Sequence, residues 1–255
     1  MSVLQNKVII VTGAGKGIGE CTAKLCAQEG GKVVVSAHHL SGGERVVDEI
    51  KREGGEAIAS ETDVSNASSV QKMVEKTIKA YGRIDGLVNN AAVFGGMELT
   101  RPFYTISEEV WDQAFAVGVK GAFLCCRAVF PQMMAQGKGK IVNVASTVAD
   151  MGVPYFLQYV ATKGAIVSLT RALANEVGDM GINVNTISPG LTMTEASIKL
   201  THPVIIERAS KSVALQRAET PEDLPGTIVF LLSDESDSIT GQNFRVDGGY
   251  CVAWE

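Results

Sequence analysis

Residues 7–12, Lys-Val-Ile-Ile-Val-Thr, form a short apolar run rich in β-branched side chains, and it leads directly into Gly13-Ala-Gly15-Lys16-Gly17-Ile18-Gly19. The run reads as a buried strand. A helical pattern follows, with Cys21, Leu25 and Cys26 at helical spacing, and closes at Gly30-Gly31. A strand, a glycine-rich turn and a helix in that order restrict the fold sharply. Such glycines let the backbone approach a pyrophosphate, which the N-terminus of the helix then attracts. The spacing is Gly13-x-x-x-Gly17-x-Gly19 rather than Gly-x-Gly-x-x-Gly, with Ile at 18 and Glu at 20.

The alternation begun there continues. Further strands are expected at residues 32–37, 57–60, 84–89, 140–145, 182–188 and 244–247. Helices are expected at 41–52, 67–81, 108–136, 154–178 and 221–232, the stretch 108–136 as one long buried helix. Residues 93–107 read as a loop containing Phe94, Gly95-Gly96, Phe103 and Tyr104. Residues 191–213 give no clean period, as a mobile substrate lid would. Strands alternating with helices imply a parallel sheet of about seven strands with helices on both faces, a doubly wound α/β domain. No linker, low-complexity stretch or internal repeat divides the 255 residues, so one domain is expected over 1–255.

One stretch carries candidate chemistry. Tyr159 and Lys163 lie one helical turn apart, on one face. A tyrosine is a poor base near neutral pH, because its reference pKa is about 10. A nearby lysine ammonium favours the phenolate and lowers that value, which makes the pair a proton-transfer device. Ser146 ends an apolar strand just upstream, where a hydroxyl can bind the oxygen of a carbonyl or alcohol. Tyr-x-x-x-Lys also arises by chance on many helices, so the pair acquires meaning from its surroundings.

The other strand ends are informative in the same way. In open α/β sheets, ligands bind at the carboxyl ends of strands. Asn89-Asn90-Ala91-Ala92 ends a strand with small residues, which suits either close approach by a ligand or a simple turn. Asp63-Val64 follows another strand and can lie near an adenine. Roughly 20 residues past the glycine turn, an NAD-binding chain carries Asp or Glu for the ribose 2′-hydroxyl. This chain has Ala37 there, with Lys16, His38, His39 and Arg45 around it. Losing the carboxylate removes repulsion against a 2′-phosphate, and Lys16 can attract one, which favours NADP. The alternative is a site that accepts NAD without that bond.

Composition excludes some partners. Net charge is −5 and no basic stripe occurs, which argues against nucleic acid. No uninterrupted apolar run reaches the roughly 18 residues of a membrane span. Residues 123–130 come nearest, and Arg127 interrupts them. The N-terminal residues are short and mixed, unlike a signal peptide. The five cysteines form no Cys-x-x-Cys and have no histidine cluster beside them, so no metal site is expected. Their odd number points to buried thiols in a reducing, cytoplasmic setting.

Thr12-Gly-Ala-Gly-Lys-Gly-Ile-Gly19, Asn89-Asn-Ala-Ala92, Ser146, Tyr159-x-x-x-Lys163 and Pro189-Gly190 together resemble the short-chain dehydrogenase/reductase family in order and spacing. The resemblance covers nearly the whole chain. It implies a Rossmann fold, a homotetramer, and hydride transfer between a nicotinamide and an alcohol or carbonyl. By the same resemblance, Tyr159 is the general acid/base, Lys163 lowers its pKa and binds the nicotinamide ribose, and Ser146 holds the substrate oxygen. Gly13, Gly17, Ile18 and Gly19 line the pyrophosphate; Asp63 and Val64 meet the adenine; Asn89 and Ala91 meet the riboses. Ile187 and the turn of Pro189, Gly190 and Thr192 flank the nicotinamide.

Three positions depart from the family pattern. Gly118 replaces the usual Asn, which positions the lysine through a water. Ala92 replaces the last Gly of Asn-Asn-Ala-Gly. Ala37 replaces the acid of the NAD-preferring branch. The resulting expectation is an NAD(P)-dependent alcohol dehydrogenase or carbonyl reductase. The rival expectation, resting on Gly118, is a catalytically weak dinucleotide-binding or sensor protein. The expected substrate wall is Phe94, Thr147, Val148, Met151, Val153, Tyr155, Phe156, Leu191, Met193 and Trp254. It suits an apolar or aromatic ketone, aldehyde or secondary alcohol, although core or subunit packing would produce the same residues.

Overall fold

The computed structural model describes residues 2–93 and 101–251. Phe94, Gly95, Gly96 and Trp254, all named above, lie outside the described residues. Seven strands are present: β1 (Val8–Thr12), β2 (Lys32–Ala37), β3 (Glu56–Glu61), β4 (Gly86–Asn89), β5 (Gly139–Val144), β6 (Ile182–Pro189) and β7 (Asn243–Val246). They form one sheet in the order β3-β2-β1-β4-β5-β6-β7, with every pairing parallel. The order reverses direction between β1 and β4, and that switch opens a crevice at the carboxyl ends of the strands.

The helices are α1 (Gly17–Gln28), α2 (Leu40–Arg52), α3 (Ala67–Tyr81), α4 (Glu108–Phe115) and α5 (Gly121–Gln136) in the first half. The second half adds α6 (Val148–Met151), α7 (Leu157–Val177), α8 (Glu195–Leu200), α9 (Pro203–Ser212) and α10 (Pro225–Leu232). Side chains alternate across the sheet, and both faces are covered. Ile9, Val11, Val33 and Val35 pack with Cys26 of α1, Ile50 of α2 and Ile228 and Leu232 of α10. Ile10, Val34, Leu87 and Ile141 pack on the other face with Met73 of α3, Met133 of α5 and Val177 of α7. Each fully buried Ile, Leu or Val contributes about 1.5–3 kcal/mol, so these two layers hold the strand ends rigidly in place.

The expected helix at 67–81 has the observed bounds because both its ends are specified. Asn66 Oδ1 accepts from Ser68 N at 2.9 Å and Ser69 N at 3.1 Å, and Gly82 terminates it at φ +74°.

Three expectations change. Residues 108–136 do not form one regular helix: α4 and α5 are joined by a π-helical turn, Ala116–Lys120, with Gly118 at its centre. By length and mean hydropathy, 1.5 over its most apolar stretch, this composite helix meets the requirement for crossing a bilayer. Its buried side packs on α3, β4 and β5, as a core helix does. The helix of Tyr159 begins at Leu157 rather than Pro154. Residues 191–213 are not irregular but hold α8 and α9. Thr194 and Ser197 form a reciprocal capping box, and Pro203 occupies the first turn of α9 behind an N-cap at His202.

Candidate active site

The glycine-rich turn leaves the carboxyl end of β1 at its junction with β4. Gly13 has φ +64°, and a Cβ there would stand 2.9 Å from the Ala91 Cα. Only glycine permits both the backbone conformation and the approach. A Cβ on Gly19 would stand 2.5 Å from Asn90 Nδ2. Asn90 ties the two strand ends together: its Nδ2 donates to the carbonyls of Thr12 at 3.0 Å and Gly13 at 3.2 Å. Thr12 Oγ1 accepts from the N–H groups of Asn90 and Ala91 at 3.1 and 3.2 Å. Lys16 is the N-cap of α1 and makes no side-chain cap, so the first N–H groups of the helix, including that of Ile18, are left for a ligand. A pyrophosphate fits this cradle by charge and by space. Thr194 at the start of α8 lies over it, its Cγ2 3.4 Å from a Cβ built on Gly17.

At the end of β2, Ala37 is buried and faces Gly15, where an added Cβ would meet the Ala37 Cβ at 3.3 Å. Arg45 is committed elsewhere: it pairs with Glu20, with Glu49 at 2.8 Å, and with the Gly15 carbonyl at 3.1 Å. Lys24 joins the same network through Glu20 at 2.6 Å. His38 and His39 directly follow Ala37, their imidazoles edge-to-face at 4.8 Å, and the charge of Lys16, next to Gly15, acts on Glu195. Asp63 accepts from Ser65 N at 2.9 Å and Ser65 Oγ at 2.6 Å, bonds that hold its carboxyl below the usual range, with His38 adding to the effect. Val64, next to it, is buried against Gly121.

Asn89 ends β4 and is buried. Its amide points into the body, donating to Asn143 Oδ1 at 2.8 Å and to Cys126 Sγ at 3.3 Å. Its Oδ1 is buried without a protein partner. Asn89 lines a cavity of about 10 Å³ together with Thr12, Ala91, Gly118, Val144 and Lys163.

Ser146, Tyr159 and Lys163 converge beyond β5. Ser146 is fixed by its neighbours, since Ala145 N donates to Ile187 O at 2.8 Å and Thr147 N to Pro189 O at 3.0 Å. Ser146 and Tyr159 share a hydrogen bond that lowers the Tyr159 pKa, but burial dominates and pushes the phenol up to about 12. The Lys163 ammonium lies 5.4 Å from the centroid of the Tyr159 ring and donates to the Val144 carbonyl at 2.8 Å. Burial pulls it down to about 8. The expected depression of Tyr159 by Lys163 is therefore not found, because burial raises the phenol instead. Helical spacing places both residues on one face, but the ammonium is turned to a backbone carbonyl and desolvation outweighs it.

The Pro189 to Thr192 turn lies alongside, with Thr147 Oγ1 donating to Pro189 O at 3.2 Å. Phe156 meets Tyr159 edge-on at 6.1 Å. Tyr155 is 61% exposed and held at φ +65°, unusual for an aromatic residue. Leu191 and Met193 line a cavity of about 150 Å³ with Val213, Leu215, Val246 and Tyr250. A larger cavity, about 280 Å³, lies between α3 and α5 and holds none of these groups.

A family model described as enoyl-(acyl carrier protein) reductase matches residues 13–251. The chain belongs to the short-chain dehydrogenase/reductase family. An uncharacterized oxidoreductase of Mycobacterium tuberculosis is 40% identical over 250 residues, covering 98% of this chain and 99% of that protein. A 3-oxoacyl-[acyl-carrier-protein] reductase of Synechocystis is 38% identical over 251 residues, 98% of each chain. A solved 7α-hydroxysteroid dehydrogenase, complexed with NADH and 7-oxo glycochenodeoxycholic acid, superposes with a TM-score of 0.92 at 31% identity, covering 96% of this chain and 94% of that one. Members of this family thus share the arrangement of strands that brings the site together here. Thr12, Asn90 and Glu219 are site residues that sequence reasoning missed. The first two lie inside the Thr12–Gly19 and Asn89–Ala92 motifs but had no role assigned to them; nothing in the sequence marks the third.

Proposed function

We propose that the chain is an NAD(P)-dependent oxidoreductase that interconverts a ketone or aldehyde with an alcohol. The convergence of Ser146, Tyr159 and Lys163 beside the glycine cradle carries this reading. When bound, the nicotinamide supplies or accepts the hydride. Ser146 holds the substrate oxygen. Tyr159, at about 12, is protonated at neutral pH and is the acid that gives its proton to that oxygen in the reducing direction. In the oxidising direction it must first lose that proton. Lys163 would hold a ribose hydroxyl of the nucleotide, and it supplies positive charge beside the phenol, 5.4 Å from the ring centroid. Gly13, Gly15, Gly17, Ile18 and Gly19 hold the pyrophosphate. Asp63 and Val64 border the adenine, Asn89 and Ala91 the riboses, and Pro189, Gly190 and Thr192 the nicotinamide.

Ala37 with Lys16 and His38 favours NADP over NAD, and the loss of Arg45 to Glu20 and Glu49 makes that preference moderate. Leu191 and Met193 of the expected substrate wall are apolar, in keeping with an apolar or aromatic substrate, although the cavity they line is also bordered by Arg217, Glu219, Asp223 and Asp247 and by none of Ser146, Tyr159 and Lys163. The ring ketone of the hydroxysteroid relative fits that class better than the acyl-carrier-protein substrate in the name of the Synechocystis relative. The exposed side chains of Phe123, Met134 and Leu157 are of the kind that partner helices cover, in keeping with a homotetramer. The free state of all five cysteines is in keeping with a cytoplasmic location.

The test is oxidation of NADPH and of NADH by the purified chain with a panel of aryl and alkyl ketones. Turnover, faster with NADPH, supports the reading. Tight nucleotide binding with no turnover on any ketone would favour the sensor protein.

A further inference from the structure

One buried acid has no part in the chemistry above. Glu219 is 9% exposed and comes from the segment between α9 and α10. It holds the turn after β6 at several points. Its Oε1 accepts from the Thr192 hydroxyl, and its Oε2 from Gly190 N at 3.3 Å, an N–H shared with the Val246 carbonyl at 3.2 Å. Its main-chain carbonyl accepts from Met193 N at 2.7 Å, and residues 192 and 219 form a parallel bridge. A Cβ at Gly190 would stand 3.3 Å from Oε2, so carboxylate and turn are in close register.

A carboxylate in this position is costly to bury. Burial raises its pKa, as do Asp223 and Asp247, while Thr192 and Gly190 act against the rise. Arg217 is the nearby cation that would relieve it, yet its guanidinium forms a fork with Asp223, both bonds at 2.7 Å. The carboxylate is thus satisfied chiefly by the turn. A neutral side chain would meet the packing need more cheaply.

We infer that Glu219 is a positioning residue that sets the Gly190–Met193 turn, and through it the face on which the nicotinamide rests, by taking the Thr192 hydroxyl and the Gly190 N–H on one carboxylate. Thr192 is thereby a spent donor. Its hydroxyl is directed to Glu219, and its main chain is left to border the cofactor. The inference rests on the reading of this turn given above.

The experiment is a double-mutant cycle of Glu219→Gln and Thr192→Val, with Thr192→Ser as the conservative control. The readouts are kcat, KM for NADPH and ketone, NADPH dissociation constant and melting temperature. Glu219→Gln is isosteric but sets an NH₂ group against the Gly190 N–H or loses the Thr192 bond. It should lower kcat about tenfold, within the range a misplaced reacting geometry produces. Thr192→Val should do the same, Thr192→Ser should retain most activity, and the double variant should be little worse than either single one. Additive losses, or a lower melting temperature with kcat unchanged, would overturn the inference. Should Glu219→Gln fail to fold, the contrast between Thr192→Ser and Thr192→Val decides. A wild-type chain that neither binds nor oxidises NADPH overturns the parent reading and this one together; an active wild type with an unaffected Glu219→Gln overturns only this one.

Discussion

Gly118 separates the readings of this site most sharply, and its replacement has a calculable effect. It sits at the centre of the π-helical turn Ala116–Lys120. A Cβ built there meets Thr162 at 3.5–3.7 Å, which is ordinary contact, and its φ is not left-handed. Gly118→Ala therefore introduces no overlap. Replacing a glycine inside a helix by alanine gains about 0.5–1 kcal/mol. The new methyl adds a fraction of the roughly 0.8 kcal/mol of a buried CH₂. The sum is about 1 kcal/mol, or about 2–4 °C in melting temperature for a chain of this size. Thermal unfolding of the nucleotide-free protein measures it. Gly118→Asn adds a second test, since Gly118 and Lys163 line the same small cavity. An amide there can bond to the lysine, and a methyl cannot. Turnover of Gly118→Asn should exceed that of Gly118→Ala several-fold. If Gly118→Ala lowers the melting temperature, the glycine is required by the π turn and the spatial argument is wrong.

Two further outcomes follow from the same geometry. Ala37→Asp places a carboxylate where a ribose 2′-hydroxyl is expected, and the ratio of kcat/KM for NADPH to that for NADH should fall by about tenfold or more, the effect of one charged hydrogen bond; an unchanged ratio would refute the role of this position. Lys163 has its folded pKa depressed to about 8 from 10.5, so between those values its site binds more protons in the unfolded chain and its contribution to stability rises with pH. The buried thiols, raised by desolvation, lower stability over the same range in both proteins, so urea unfolding at pH 8 and pH 10 should show wild type gaining stability relative to Lys163→Met. Equal slopes in both proteins would refute the burial of the ammonium.

The parts of the fold legible in the sequence are those fixed by local chemistry. The Val8–Thr12 strand, the glycine turn and α1 follow one another as backbone rules require. The bounds of α3 follow from Asn66 and Gly82. The signals for α8 and α9 were also present, in Thr194, Ser197 and Pro203, but short helices have little periodicity to detect. The π turn at Gly118 was not legible, because one inserted residue leaves the apolar composition of the helix unchanged. Ser146, Tyr159 and Lys163 were legible as a set, and their electrostatics were not. The direction of the Lys163 ammonium and the desolvation of Tyr159 depend on how β5 and α7 pack. Glu219 meets Thr192 only through tertiary contact, 27 positions along the chain, so no local pattern reveals it.

The central claim is that Tyr159 transfers the proton. The measurement is NADPH oxidation by Tyr159→Phe with the best ketone found for wild type, paired with NADPH binding by fluorescence titration. The expected result is a loss of turnover of between about 10² and 10⁴, the contribution of a positioned acid or base, with binding within about threefold of wild type. A Tyr159→Phe protein that turns over at the wild-type rate contradicts the claim.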